Sequence, residues 1–239
     1  LGGLIAMDQR GLVEYGDVEN VNREDKLAPF GVRMDYAKVL ENIEKLKEKV
    51  DFTVVDTGDL DRLKEYELYL DDEMFMHHRM KALGYLDRFI KDLRESAGED
   101  SMIVVVSPNE GKTKEVESKL SPLIIWTDDS EPSLLASGST RVDGLVTNMD
   151  IAPTVSEYLG ASTEGYVGRS ISYKKLGQEE DGRLDYLLEI SAQSNFTLEA
   201  RGPVLSYYAV LSMVAIALLS LFVVASSDAS FKKQSAVFR

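Results

Sequence analysis

The segment VLSYYAVLSMVAIALLSLFVVASS, residues 204–227, runs for 24 residues without a charged side chain. As a helix rising about 1.5 Å per residue it is roughly 36 Å long, enough to cross a hydrocarbon layer of about 30 Å with some tilt. A buried core helix is the competing reading, but soluble core helices rarely run so far without a charge, and the segment reads as a transmembrane helix. Tyr207 and Tyr208 suit an interfacial belt at one end, and Lys232 and Lys233 suit the cytoplasmic side at the other. This orientation makes the chain a cell-membrane protein with its main domain extracytoplasmic, residues 176–203 as a juxtamembrane connection and 228–239 as a cytoplasmic tail. Membrane lipid is then the partner of 204–227.

The remainder is acidic. The net charge is −14, and three of the 27 basic residues, Lys232, Lys233 and Arg239, lie at the C-terminal end. Such a body repels polynucleotides and anionic headgroups, so no nucleic-acid partner is expected. Cysteine is absent, which excludes a disulfide framework, a Cys-ligated zinc or iron site and a thiol nucleophile. The opening LGGLIAMDQRG has neither an initiator Met nor the charged and apolar regions of a signal peptide, and an N-terminally truncated domain is expected.

Short β-type runs alternate with helical patterns before the span. LIAM (4–7) and FTVV (52–55) read as strands, as do MIVVV (102–106) and PLIIW (122–126), whose uninterrupted apolar character fits strands covered on both faces of a parallel sheet. DYAKVLENIEKLKEKV (35–50) reads as a helix with Val39, Leu40, Ile43, Leu46 and Val50 on one face. A second, from about Asp71 to Glu95, carries Met76, Leu83, Leu86, Ile90 and Leu93 at helical spacing. This repetition indicates a layered α/β domain over residues 1–175.

Ligands of such a sheet bind beyond the carboxyl ends of the strands. After FTVV come Asp56, Thr57, Gly58, Asp59, Leu60, Asp61 and Arg62. Their carboxylates offer oxygen ligands for a hard cation, with Asp56 and Asp59 the candidates; alternatively Asp59 or Asp61 caps the next helix while Arg62 pairs with a neighbour. After MIVVV, Asn109 and Glu110 either face a cleft or belong to a Pro108-driven turn. Ser139, Thr140 and Arg141 offer hydroxyls and a guanidinium to a phosphate or sulfate, against a solvated loop. His77 and His78, about 100° apart around one helix, cannot both face one ion and read as surface or packing residues. In GLVTNMDIAPTVSEYLG (144–160) a β-type run at Leu145 and Val146 leads to Asp150, which reads as a helix N-cap rather than a metal ligand, with Pro153 early in the helix. The sequon at Asn195 would matter only in a eukaryotic secretory setting.

NMDIAPTVSEYLG resembles the D-I-A-P-T-L-L-E-L-L-G segment near the C-terminal end of catalytic domains in the alkaline phosphatase superfamily, which includes sulfatases, cofactor-independent phosphoglycerate mutases and nucleotide pyrophosphatases. Gly168, Arg169, Ser170 and Ile171 echo the G-x-[PS]-[IL] stretch that follows it. The resemblance spans residues 1–175 and implies a three-layer α/β/α fold, present in part. DTGDLDR would hold the place of the family's Asp-x-x-x-His metal motif, the helix with Asp87 that of its intervening helix, and IVVVSPNEG that of its Ser-Asp-His-Gly strand end. The departures remove the metal chemistry: Pro108 and Asn109 replace an aspartate and a histidine, Arg62 lies near where a histidine belongs, and no histidine follows His78. Arg62 and Arg141 would remain as anion binders. The order of body and span, with PFG at 29–31, GDLDR at 58–62 and STR at 139–141, also resembles large bacterial envelope proteins carrying a degenerate domain of this superfamily.

The resulting expectation is a membrane-anchored binding or assembly module of the cell envelope. Its ligand would carry phosphate or sulfate, held by Asp59, Arg62, Asn109, Glu110, Thr140 and Arg141, and no cofactor is predicted. The alternative is a divergent hydrolase or transferase acting on phosphate or sulfate esters, which would need a divalent metal. A third reading, a transporter or sensor ectodomain without enzymatic ancestry, rests on the span alone.

Overall fold

The computed structural model describes residues 2–8, 10–107, 120–128, 131–175 and 181–237, with side chains to residue 223. The chain divides into two compact units, Leu1–Ile103 and Val104–Arg239.

In the first unit, α1 (Gly2–Ile5) precedes the antiparallel hairpin β1 (Asn22–Glu24) and β2 (Val32–Met34), paired from Asn22 with Met34 to Glu24 with Val32. Their connection carries a 3-10 turn at Pro29–Gly31. α2 (Tyr36–Leu46) starts where the Asp35 carboxylate accepts from the Lys38 N–H at 3.3 Å, and α4 (Asp72–Ser96) where Asp71 accepts from Met74 at 2.7 Å. Both are side-chain N-caps that satisfy an otherwise orphan donor. Between them lies α3 (Asp59–Glu65). Met34, Val39 and Phe89 form the buried centre, surrounded by Tyr36, Leu40, Ile43, Val55, Leu86, Ile90 and Leu93.

In the order of the chain, β3 (Met102–Val106) pairs with β4 (Leu123–Thr127). Within the second unit, β5 (Leu134–Ala136) pairs antiparallel with β6 (Ser172–Lys174), placing Leu134 opposite Lys174 and Ala136 opposite Ser172. α5 (Ile151–Tyr158) lies between these strands in sequence. α6 (Asp181–Val237) is one continuous helix of 57 residues, roughly 85 Å at the usual rise. Its foot is fixed on its own unit: Arg183 donates to the Pro132 carbonyl at 3.2 Å, and Leu187 and Ile190 cover Gly144.

The fold is therefore mixed α/β, with six α-helices and small sheets among the described residues. Several expected strands are corrected. Residues 4–7 belong to or follow the short helix α1; Leu4 and Ile5 are exposed, with no sheet to bury them. FTVV forms no ladder: Val55 instead packs against the Met34–Val39–Phe89 centre, and β propensity, which reports a fit to a pleated surface, does not supply a partner strand. Leu145 and Val146 likewise lie outside any strand. In place of one sheet there are, among the described residues, three two-stranded ones, two of them antiparallel.

Candidate functional site

Two of the expected site residues meet in the first unit. Gly58, with φ 62, turns the chain into α3 and brings Asp59 beneath β2. The Asp59 carboxylate is buried. Its Oδ1 accepts from the Met34 backbone N–H at 2.9 Å and from Arg62 Nη2 at 2.5 Å, and its Oδ2 accepts from the Tyr36 hydroxyl at 3.0 Å. Burial, followed by the charge and hydrogen bond of Asp59, pushes the Tyr36 phenol above its ordinary range. The expected pairing of Arg62 with a neighbour is observed. The expected cap is not: Gly58 occupies the N-cap, and Asp59, one residue inside, points back to β2 instead of to the helix. Asp56 is exposed and accepts from the Gly2 N–H at 3.1 Å, a bond that lowers its pKa.

The second unit brings Thr140 and Arg141 together. Beyond β5, the Ser139 N–H donates to Ser137 Oγ at 3.0 Å and the Arg141 N–H to the Ser137 carbonyl at 3.0 Å, closing a tight loop. The Thr140 hydroxyl donates to the Leu145 carbonyl, so it serves the loop. Arg141 is exposed and has φ 59, a left-handed conformation uncommon for a residue with a Cβ.

Beside this loop stands Asp150, with 0% exposure. It stands at the N-cap position of α5, as expected from sequence, but its side chain makes no cap bond to that helix: Asp150 also ends the 3-10 turn Asn148–Asp150, which starts at Thr147. Asp150 Oδ2 accepts from the Thr147 N–H at 2.8 Å, while Oδ1 accepts from the Ser139 hydroxyl at 2.7 Å and the Arg169 N–H at 2.9 Å. Spacing a cap and an acidic residue three positions apart produces this reciprocal start, and the rest of the network then uses the remaining lone pairs. Burial acts to raise the Asp150 pKa, but the hydrogen bonds from Arg169, Ser139 and Thr147 outweigh it and hold the carboxyl well below the usual carboxylate range. Thr154 extends the clasp, donating to the Asp150 carbonyl at 2.6 Å and accepting from the Ile171 N–H at 2.9 Å.

Asp59 and Arg62 thus form one pair and Thr140 and Arg141 another, each in its own unit. Asn109 and Glu110 lie outside the described residues. Among the described residues no group of three or more His, Asp or Glu side chains is placed to hold a metal ion. His77 and His78 meet edge to face at 5.8 Å between ring centres on α4. Tyr36, Ser139 and Arg169 were not legible as partners of the acids, because only the long-range fold joins them; the side chain of Arg169 lies against Gly138, where a Cβ would stand 3.0 Å from its Cδ. Comparison with protein-family models, curated proteins and solved structures gives no match.

Along α6, Gly182–Val223 is the one helix among the described residues long and apolar enough to cross a membrane, and none of its most apolar window is buried. Ser212 and Ser220 donate to the carbonyls of Tyr208 and Ile216, each at 2.8 Å, so these hydroxyls need no water. Pro203 withdraws a donor from the Glu199 carbonyl at the start of the apolar run, where solvent can replace it.

Proposed function

We propose that this chain is a membrane-anchored protein of the cell envelope, with an extracytoplasmic body that binds or assembles and does not hydrolyse. The body is read as a degenerate relative of the alkaline phosphatase superfamily, with a phosphate- or sulfate-bearing ligand. The observation that carries the reading is the state of Asp59, the residue at the place of the family's first metal-motif aspartate. Both of its oxygens already accept from a backbone amide, a phenol and a guanidinium. A cation would have to displace donors that a buried carboxylate needs.

The family reading draws support from the way NMDIAPT and GRSI interlock, through Asp150 to Arg169 and Thr154 to Ile171. The anchor draws support from the helix: Leu211, Met213, Val214 and Leu219 are exposed around its circumference. At roughly 1.5–3 kcal/mol per such side chain, transferring the whole apolar run out of water is worth tens of kcal/mol. Tyr207, Tyr208 and the two lysines beyond the span support an extracytoplasmic body.

The test is to purify the membrane protein at full length, measure bound zinc, manganese and calcium, and assay generic phosphate and sulfate esters. No turnover is expected. Stoichiometric metal together with turnover rejects the reading in favour of a hydrolase or transferase. A second reading, an ectodomain without enzymatic ancestry, is favoured by the three separate two-stranded sheets among the described residues. A structure of the intact protein distinguishes the two: further strands joining β3 and β4 into one parallel sheet support the phosphatase-like ancestry.

A further inference from the structure

His77 and His78, the only histidines of the chain, leave α4 about 100° apart, a divergence that on its own speaks against a shared ion. Their rings nevertheless converge: the centres are 5.8 Å apart, with the planes at 80°. An imidazole nitrogen binds a metal at about 2 Å, so two rings held at a wide angle around one ion have centres roughly 5–6.5 Å apart. Rotation about χ2, a soft and broadly two-fold torsion in histidine, turns one nitrogen of each ring inward at little cost. His77 is exposed and His78 half-buried, so a point between them is reached from solvent.

The same stretch of helix exposes thioethers. Met74, Met76 and Met80 are 43%, 47% and 64% exposed, although methionine is among the residue types most often buried. Position separates the three. Met74 stands three residues before His77 and four before His78, the two spacings that make neighbours on a helix, and lies about 60° and 40° from them around the axis. Because helical side chains tilt toward the N-terminus, both imidazoles are directed over the turn that carries Met74. At these spacings Met80 neighbours His77 alone, and Met76 neither ring. Asp72 and Glu73 in the first turn, with the Asp71 cap, set negative charge against the helix dipole at this end.

We infer that His77, His78 and Met74 form a site for a soft monovalent metal ion, copper(I), with silver(I) as its redox-inert counterpart. A thioether is neutral and polarisable, and together with imidazole it selects copper(I) over harder ions. Zinc takes four ligands from thiolate, imidazole and carboxylate, and calcium and magnesium take oxygen, so none of these is served by two nitrogens and a sulfur. Charge favours the same class. Lys81, one turn further along α4, acts electrostatically on Asp25 and would repel a divalent ion about twice as strongly as a monovalent one. The inference is independent of the phosphatase-like reading, since it uses no residue of the strand ends and needs no ester chemistry.

The test titrates the full chain in zwitterionic lipid nanodiscs with silver nitrate in chloride-free buffer, and with copper(I) under anaerobic conditions against a chromophoric chelator. One tightly bound equivalent is expected, shifting the ring-proton resonances of both histidines and the methyl resonance of one methionine. His77→Asn and His78→Asn should each weaken binding about a hundredfold, and Met74→Leu about tenfold. Met76→Leu, on another face of the helix, should bind as the parent does. His77 and Met74 are exposed, so circular dichroism of their variants should match the parent and separate loss of a ligand from loss of the fold. Unchanged affinity in the two histidine variants overturns the site, as does silver binding that moves no histidine resonance. Parent affinity in Met74→Leu overturns the three-ligand assignment, and zinc bound as tightly as silver overturns the soft-ion class.

Discussion

The carboxylate of Asp150 and the backbone N–H of Arg169 are 2.9 Å apart across nineteen residues of sequence, and this bond closes the NMDIAPT segment onto GRSI. The same oxygen also receives Ser139, so one acid organises the end of β5, the start of α5 and the approach to β6. Replacing Asp150 with Ala strands two backbone amides and a hydroxyl away from water. At the usual cost of unsatisfied buried donors, a loss of about 3 kcal/mol or more is expected. Asp150→Asn keeps the shape and forfeits the charge, and should cost less. Chemical denaturation of the purified chain compares the two.

The depressed pKa of Asp150 also sets a pH dependence. Its native value lies below its value in the unfolded chain, so the unfolded state binds the proton more readily. The stabilisation is present above the ordinary aspartate value, about pH 4, and is lost as pH falls from there toward the native pKa. Thermal unfolding between pH 6 and pH 3 should show a steep decline in the parent and a shallower one in Asp150→Asn. Parallel declines would place the acid sensitivity elsewhere.

Gly168 and Gly84 make opposite predictions from the same substitution. A Cβ on Gly168 would stand 2.0 Å from the Met149 carbonyl oxygen and 2.8 Å from the Asp150 N, so Gly168→Ala must push apart the two backbones the clasp joins. Loss of several kcal/mol, on the scale of severe overpacking, is expected. Gly84 lies inside α4 with nothing within 4 Å of its Cβ position. There, alanine should stabilise by about 0.5–1 kcal/mol through the smaller backbone entropy lost on folding. Urea midpoints of the two variants should move in opposite directions.

The helices were the legible part of this fold. The faces of α2 and of the C-terminal half of α4 follow from spacing: Val39, Leu40, Ile43, Leu86, Ile90 and Leu93 all join the first unit's core. Met76 and Leu83 have the right spacing and are nevertheless exposed, while Phe89, absent from the expected face, is the helix's buried residue. Periodicity marks a stripe, but where the stripe ends depends on which element covers it. The acids were legible as important and illegible in role. Whether Asp59 caps α3 or holds Met34 depends on a hairpin 25 residues earlier, and no local pattern encodes that distance. Of the expected strands, MIVVV and PLIIW appear as β3 and β4, whereas LIAM and FTVV do not, because pairing needs a partner that β-branched residues cannot specify alone.

Asp59 offers a way to separate a structural acid from a ligand. In Asp59→Ala the Met34 N–H and the Arg62 guanidinium lose their acceptor, and removing one member of a buried pair costs roughly 3–5 kcal/mol. With Arg62 still partly exposed, the lower end is expected. Hydrogen exchange provides the local measurement: the Met34 amide, protected in the parent by the Asp59 carboxylate, should exchange markedly faster in the variant. An unchanged Met34 amide would show that the carboxylate does not hold the hairpin in solution.

The apolar run of α6 makes the remaining prediction, because none of its most apolar window is buried among the described residues. Placing Arg at residue 216, near the middle of the span, costs about 2.5–3.5 kcal/mol on insertion scales and also removes the small favourable contribution of isoleucine. Ile216→Arg should therefore lower the fraction of protein that resists alkaline extraction from membranes, and Ile216→Arg combined with Leu219→Arg should release most of it. Ser212→Ala should change nothing, since the Ser212 hydroxyl is already satisfied by the Tyr208 carbonyl within the helix. Full retention of the double arginine variant would mean that a protein partner covers this face in place of lipid.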